Sequence, residues 1–191
     1  MAEPQLSIFA RLPVPGKVKT RLIPALGEEG AARVYARLLA QTVEVARASG
    51  LAFELRVTGG EEAAFRQLFG EDIAVAEQGE GDLGARMARV PSPALIIGSD
   101  CPGITPALLQ AAAEALDDRR VVIGPATDGG YYLIGYREPV PFVFADMEWS
   151  TPRVFTETLA RLAAEGYGPA ILPELADIDT GEDLASWPEF Q

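Results

Sequence analysis

Ala94-Leu95-Ile96-Ile97-Gly98-Ser99-Asp100-Cys101-Pro102 is an apolar run that ends on a carboxylate. Bounded by Pro93 and Gly98, residues 94–97 read as a short strand buried on both faces, the kind found in parallel sheets. Asp100 then stands at the carboxyl end of that strand. In open α/β sheets ligands bind outside those ends, so an acid delivered there can hold a metal or a polar substrate. The same residue can instead cap a turn before the next helix. The stretch by itself supports either role.

The segments on both sides supply the fold class. Leu6-Ser7-Ile8-Phe9-Ala10 is a β-type run, residues 28–49 form an amphipathic helix with Val34, Leu38 and Val45 inward, and Gly50 ends it. Strands follow at residues 53–57 and 73–76, with a helix between them over residues 61–69 closed by Gly70. After Asp100, Thr105 caps a helix that starts at Pro106 and runs to residue 116. Val121-Val122-Ile123-Gly124-Pro125 is another buried strand, and Asp128-Gly129 turns the chain back into a further strand as a hairpin. Residues 142–149 read as irregular, Thr151-Pro152 opens a helix to residue 165, and residues 170–172 are a last short strand. This alternation predicts one α/β domain over residues 1–191, a three-layer sandwich with a mainly parallel mixed sheet covered by helices on both faces.

Composition narrows the function. A chain of 191 residues buries roughly 70% of its unfolded surface without disulfides or a structural metal. The lone Cys101 forms no internal disulfide, and the first residues do not resemble a secretion signal, so a reducing cytoplasm is the expected setting. No run approaches the ~18 apolar residues of a membrane span. A net charge of −12 argues against nucleic-acid or anionic-membrane partners. Histidine is absent, which removes the commonest general base and nitrogen ligand. With one cysteine there is no zinc site, and any metal is a hard cation held by carboxylates.

Against this acidic background, residues 11–22 (Arg11-Leu12-Pro13-Val14-Pro15-Gly16-Lys17-Val18-Lys19-Thr20-Arg21-Leu22) are wholly basic. They carry both lysines of the chain, and no acid occurs between Glu3 and Glu28. Too proline-rich for a helix, the segment is a loop past the first strand. Its four cations either anchor a polyphosphate or form a solvated basic surface. Gly79, Gly81 and Gly84 satisfy the dinucleotide-binding pattern G-x-G-x-x-G, but Pro91 and Pro93 cut the following helix short and Glu80 and Asp82 put carboxylates where a pyrophosphate would lie. The better reading is a close-approach loop that opens a short helix carrying Arg86. Asp128, with Gly129, Gly130, Tyr131 and Tyr132 beside it, is a hairpin turn or the floor of a pocket. Near the end, Thr180 and Asp183 fit a capping box, whereas Asp177 and Asp179 repel unless a cation is near.

Taken in order, residues 9–22, 81–87, 98–103, 124–135, 149–151 and 177–180 resemble the motifs of the small bacterial glycosyltransferase A-fold proteins described as arsenosugar-biosynthesis-type glycosyltransferases. That family is similar in fold to molybdenum-cofactor and phospholactate guanylyltransferases, and the latter share an element like Lys19-Thr20-Arg21-Leu22. The resemblance implies the nucleotide-diphospho-sugar transferase fold, with Arg11, Gly16, Lys17, Lys19 and Arg21 around nucleotide phosphates and Gly81, Asp82, Leu83, Gly84 and Arg86 along the nucleoside. It also implies magnesium or manganese on Asp100 and Asp179. Where many glycosyltransferases carry two acids flanking one residue, this chain has Ser99 and the single Asp100.

On this resemblance the expected activity is a metal-dependent transfer from a nucleotide-activated donor, foremost glycosyl transfer from a nucleotide sugar to a small-molecule acceptor. Lys19 and the metal neutralise the leaving phosphate, Asp128 binds the acceptor or takes its proton, and Gly129, Gly130, Tyr131 and Trp149 shape the acceptor side. The alternatives are nucleotidyl transfer to a phosphorylated acceptor and a non-catalytic nucleotide-binding domain. Nothing in the sequence bears on oligomeric state.

Overall fold

A computed structural model describes residues 2–190. Among them, β1 (Gln5–Arg11), β2 (Phe53–Thr58), β3 (Ala74–Glu77), β4 (Ala94–Ile97), β5 (Val121–Pro125), β6 (Tyr131–Tyr136) and β7 (Ala170–Ile171) make one sheet. The strand order is β3-β2-β1-β4-β6-β5-β7. β1 pairs in parallel with β2 and β4, β2 with β3, and β5 with β7, while β6 runs against both β4 and β5. The sheet is therefore mainly parallel and mixed, as expected.

Alternation along the strands decides which helices cover which face. Leu6, Ile8 and Ala10 of β1 and Leu95 and Ile97 of β4 face one side. There they meet α1 (Ile23–Ser49), α2 (Glu62–Phe69) and α4 (Pro106–Asp118) through Tyr35, Leu39, Val43, Phe65, Leu109 and Leu116. Ala94 and Ile96 face the other side with Ile123, Ile134 and Tyr136, under α3 (Leu83–Met87), α5 (Pro141–Phe144) and α6 (Val154–Ala164). All of β4 is buried because it lies mid-sheet with a packed layer on each face. Each fully covered aliphatic side chain such as Leu95 contributes about 1.5–3 kcal/mol of burial free energy.

A third cluster forms on the outer side of α1. Ile178, Leu184 of α7 (Gly181–Ala185) and Phe190 pack with Leu22, Val34 and Leu38. The end of the chain thereby returns to the basic loop.

Three local expectations are corrected. The first helix starts at Ile23 rather than residue 28, with a break at Gly27 (φ 70°, ψ 171°), so the regular helix resumes where the sequence pattern placed its start. Residues 142–149 are not wholly irregular, since Pro141 opens the single turn α5. Thr151 and Pro152 lie in the turn before α6, where Thr151 Oγ1 donates to the Glu148 carbonyl at 2.9 Å, and the helix begins at Val154. No helix among the described residues is long and apolar enough to cross a membrane.

Candidate active site

The carboxyl ends of β1 and β4, the β5–β6 turn and the segment before α7 surround a cleft of about 580 Å³. Its basic wall is the loop after β1. Val18 (5% exposed) and Leu22 (fully buried) anchor that loop, and Lys19 between them adopts a left-handed conformation (φ 44°, ψ 47°). This directs the ammonium inward: the Lys19 side chain is 6% exposed, and its Nζ lies 3.1 Å from Asp100 Oδ2 and 3.4 Å from Asp179 Oδ1. Arg21 Nη1 donates to Asp179 Oδ2 at 2.6 Å.

The two acids, 79 residues apart in sequence, are brought together by backbone contacts. The Ile178 N–H donates to the Asp100 carbonyl at 3.0 Å, which lays residues 177–179 against the end of β4. Beyond it, Asp183 Oδ2 accepts from the Asp179 and Thr180 N–H groups and from Thr180 Oγ1, and the Asp183 N–H donates back to Thr180 Oγ1, completing a capping box. Burial works against a charged Asp183, but these hydrogen bonds prevail and hold its pKa below the usual carboxylate value.

The other groups are held as firmly. Burial alone would lower the pKa of Lys19, but the attractions of Asp100 and Asp179 outweigh it and the net shift is upward. Asp177 is shifted up by burial and by the like charge of Asp100. Tyr35 Oη accepts from the Arg11 N–H at 2.9 Å and shares a 2.9 Å hydrogen bond with Ser99 Oγ, tying α1 to the ends of β1 and β4. Burial pushes the Tyr35 phenol up, so it stays neutral.

At the opposite end, Asp128 is exposed, and its Oδ1 accepts from the Gly130 N–H at 2.8 Å, so it is a turn residue and a cleft residue at once. Gly129 (φ 87°) permits this turn to press on the turn before α6, because a Cβ there would stand 2.3 Å from the Pro152 carbonyl oxygen. Tyr131 and Trp149 meet edge to face, with centroids 6.4 Å apart. The buried Nε1 of Trp149 has no hydrogen-bond partner among the described residues.

Of the residues singled out in the sequence, Arg11, Lys17, Lys19, Arg21, Leu83, Asp100, Asp128, Gly130, Tyr131, Trp149 and Asp179 line this cleft. Gly16, Gly81, Asp82, Gly84, Arg86 and Gly129 do not. Asp82 caps α3 by accepting from the Ala85 N–H at 2.8 Å. Arg86 donates to the Gly81 carbonyl at 2.9 Å and to Gln78 Oε1 at 3.4 Å. Gly84 gives Trp149 its seat: a Cβ would lie 3.1 Å from the indole and 2.5 Å from the Phe144 carbonyl oxygen. The sequence marked Asp177 only as an acid that needs a cation nearby, without a role in the site, and did not single out Tyr35 or Ser99. The spacing of Asp177 and Asp179 around fully buried Ile178 carried a signal for the first, since neighbours two apart can share a face. No pattern marked the hydroxyls of Tyr35 and Ser99.

Two carboxylates that already share one cation form an oxygen-only donor set suited to magnesium or manganese, which usually take one or two protein carboxylates and fill the remaining positions with water and substrate phosphate. Among the described residues no group of three or more His, Cys, Asp and Glu side chains forms a complete metal cage.

The sequence model of the family described as "Uncharacterized protein conserved in bacteria (DUF2064)" matches residues 41–151. The chain belongs to the DUF2064 family. The matched region includes Asp100 and Asp128, and Lys19 and Asp179 lie outside it. No curated protein matches this DUF2064 sequence. Among solved structures, a protein from Desulfovibrio desulfuricans G20, provisionally named a nucleotide-diphospho-sugar transferase, is 30% identical with a TM-score of 0.90, over 96% of this chain and 85% of that one. Two others share the fold at lower identity. A nucleotidyl transferase from Methanothermobacter is 18% identical with a TM-score of 0.63, over 100% of this chain and 98% of that one. Rv0371c from Mycobacterium tuberculosis H37Rv, solved as a complex with manganese, is 19% identical with a TM-score of 0.57, over 98% and 99% of the two chains. This DUF2064 chain thus has the fold of nucleotidyl and nucleotide-sugar transferases.

Proposed function

We propose that the chain is a divalent-metal-dependent transferase that uses a nucleotide-activated donor, and that its reaction is glycosyl transfer from a nucleotide sugar to a small-molecule acceptor. One observation carries the reading: Asp100 and Asp179 converge on Lys19, in the segment formed by the end of β1 and the loop after it that supplies every basic residue lining the cleft among the described residues, at the end of the sheet where this fold class binds ligands. The relative from Desulfovibrio desulfuricans and the resemblance to arsenosugar-biosynthesis-type glycosyltransferases support the same class.

Lys17, Lys19 and Arg21 bind the donor phosphates and stabilise the charge that grows on the departing nucleoside diphosphate. Asp100 and Asp179 would hold magnesium or manganese, which supplies further charge neutralisation at those phosphates. Leu83 and Met87 offer the nucleoside an apolar wall. Asp128 orients the acceptor hydroxyl and takes its proton, with Tyr131 and Trp149 behind it. A reducing cytoplasm suits the buried thiol of Cys101, whose pKa burial pushes to about 12.

Thermal-shift titration with nucleoside triphosphates and nucleotide sugars, with and without magnesium or manganese, tests the reading, because a ligand that binds the folded state raises Tm by mass action. The expected result is a shift for one nucleotide class that needs the metal. Product analysis then separates the reactions: nucleoside diphosphate released from a nucleotide sugar supports glycosyl transfer, whereas pyrophosphate released from a triphosphate in the presence of a phosphorylated acceptor replaces it with nucleotidyl transfer. No metal-dependent binding of any nucleotide refutes both.

A further inference from the structure

The charges of the cleft are segregated along its length. Arg11, Lys17, Lys19 and Arg21 all come from the end of β1 and the loop after it, and no other basic residue lines the cavity. Asp100 and Asp179 face that loop. Asp177 lies within electrostatic reach of Asp100, Lys19 and Asp128. The far end consists of Asp128, Gly130, Tyr131, Trp149, Ser150 and Thr151, with one acid and three hydroxyls but no cation among the described residues.

The arginines nearest this end in the chain are committed elsewhere. Arg153 pairs with Glu148 on the surface. Arg161 pairs with Glu157 and donates to the carbonyls of Val143, Ala145 and Asp146, which fixes the loop that carries Trp149. Neither lines the cleft. An anion bound beside Asp128 would find no basic side chain among the described residues lining that end and would meet the carboxylates of Asp128 and Asp177. A hydroxyl or an ammonium finds carboxylate acceptors, hydroxyl partners and the Tyr131–Trp149 aromatic pair, whose faces favour cations and the C–H surface of a polyol.

We propose that the acceptor subsite takes a neutral or cationic small molecule bearing a free hydroxyl or amine, and that it excludes phosphorylated and carboxylated acceptors. This selectivity rests on the transferase reading and sharpens it, since the same wall that binds a polyol rejects its phosphate ester. In the transfer, the acceptor hydroxyl oxygen, or an amine nitrogen in its neutral form, forms the new bond to the anomeric carbon, the bond from that carbon to the diphosphate oxygen breaks with its electron pair leaving on the diphosphate, and the one proton released by the acceptor passes to Asp128.

The test uses the full chain saturated with magnesium and a nucleoside diphosphate, so that the donor half is filled. Saturation-transfer NMR then compares methyl glucoside, glucosamine and glycerol with glucose 6-phosphate, gluconate and glycerol 3-phosphate. The neutral and cationic compounds are expected to bind at least about 10-fold tighter than their anionic counterparts, and Asp177→Asn is expected to narrow that gap by about 3-fold or more. Tighter or equal binding of the anions overturns the proposal, as does a failure of every neutral and cationic probe to bind, or a gap that Asp177→Asn leaves unchanged. Nucleotide binding is measured first on the same sample. Its loss defeats the transferase reading, whereas its retention with preference for the anions defeats the acceptor assignment alone.

Discussion

Replacing Lys19 with methionine keeps the length and apolar stem of the side chain and removes the ammonium that joins Asp100 to Asp179. Breaking a buried ion pair at one partner costs about 3–5 kcal/mol, because the remaining charge stays desolvated. Here the lysine is 6% exposed, but the carboxylates keep 41% and 31% of their side-chain surface, so water screens what is left behind. We reduce the expected loss to about 1–2 kcal/mol for that reason. In a chain of this size it lowers Tm by about 2–8 °C.

The loss also has a pH signature. The pKa of Lys19 is raised in the folded chain, so its contribution is fully present below the unfolded lysine value of about 10.4 and disappears as pH rises through the higher folded value. The gap between wild type and Lys19→Met is therefore widest near neutrality and closes in strong alkali. Calorimetry or fluorescence-monitored melting from pH 3.5 to 11 measures it. An unchanged Tm at pH 7, or a deficit that does not narrow in strong alkali, would refute the account of Lys19 as the cation shared by the two acids.

Asp100→Asn is expected to leave the melting profile of the free protein within about 1 kcal/mol of wild type and to abolish the metal-dependent part of any nucleotide-induced Tm shift, as read by the same thermal-shift panel. Gly129→Ala forces a Cβ toward the Pro152 carbonyl oxygen at a positive φ, and should lower stability in urea unfolding by about 1–3 kcal/mol. Thr180→Ala removes the cap of α7 at a cost of about 1 kcal/mol. Because the Asp183 pKa is depressed in the folded chain, its share of stability is present above the unfolded carboxylate pKa and is lost as pH falls through the folded one, so a urea series from pH 7 to pH 3 should show the Thr180→Ala deficit shrinking toward acid.

Most of the architecture could be read in advance because it depends on local periodicity. The run Ala94–Ile97 was a buried strand by composition alone, and Thr105 and the Thr180–Asp183 capping box were start signals whose hydrogen bonds are present. The short turn Pro141–Phe144 is too brief to leave a periodic pattern, although Pro141 marks its start, and Thr151-Pro152 signalled a helix that begins only at Val154.

For the site, the sequence by itself determined the chemical inventory: a basic loop in an acidic chain, oxygen donors without histidine, and an acid at a strand end. Only the tertiary structure decided which of these groups meet. It set Lys19 between Asp100 and Asp179, added Asp177, Tyr35 and Ser99 to the cleft or its frame, and turned Asp82 and Arg86 to local caps and loop contacts. The physical reason is one of range. Strand and helix propensities act over a few residues, whereas the encounter of Asp100 with Asp179 depends on Ile178 burying against α1 and on one backbone hydrogen bond across 78 residues of chain.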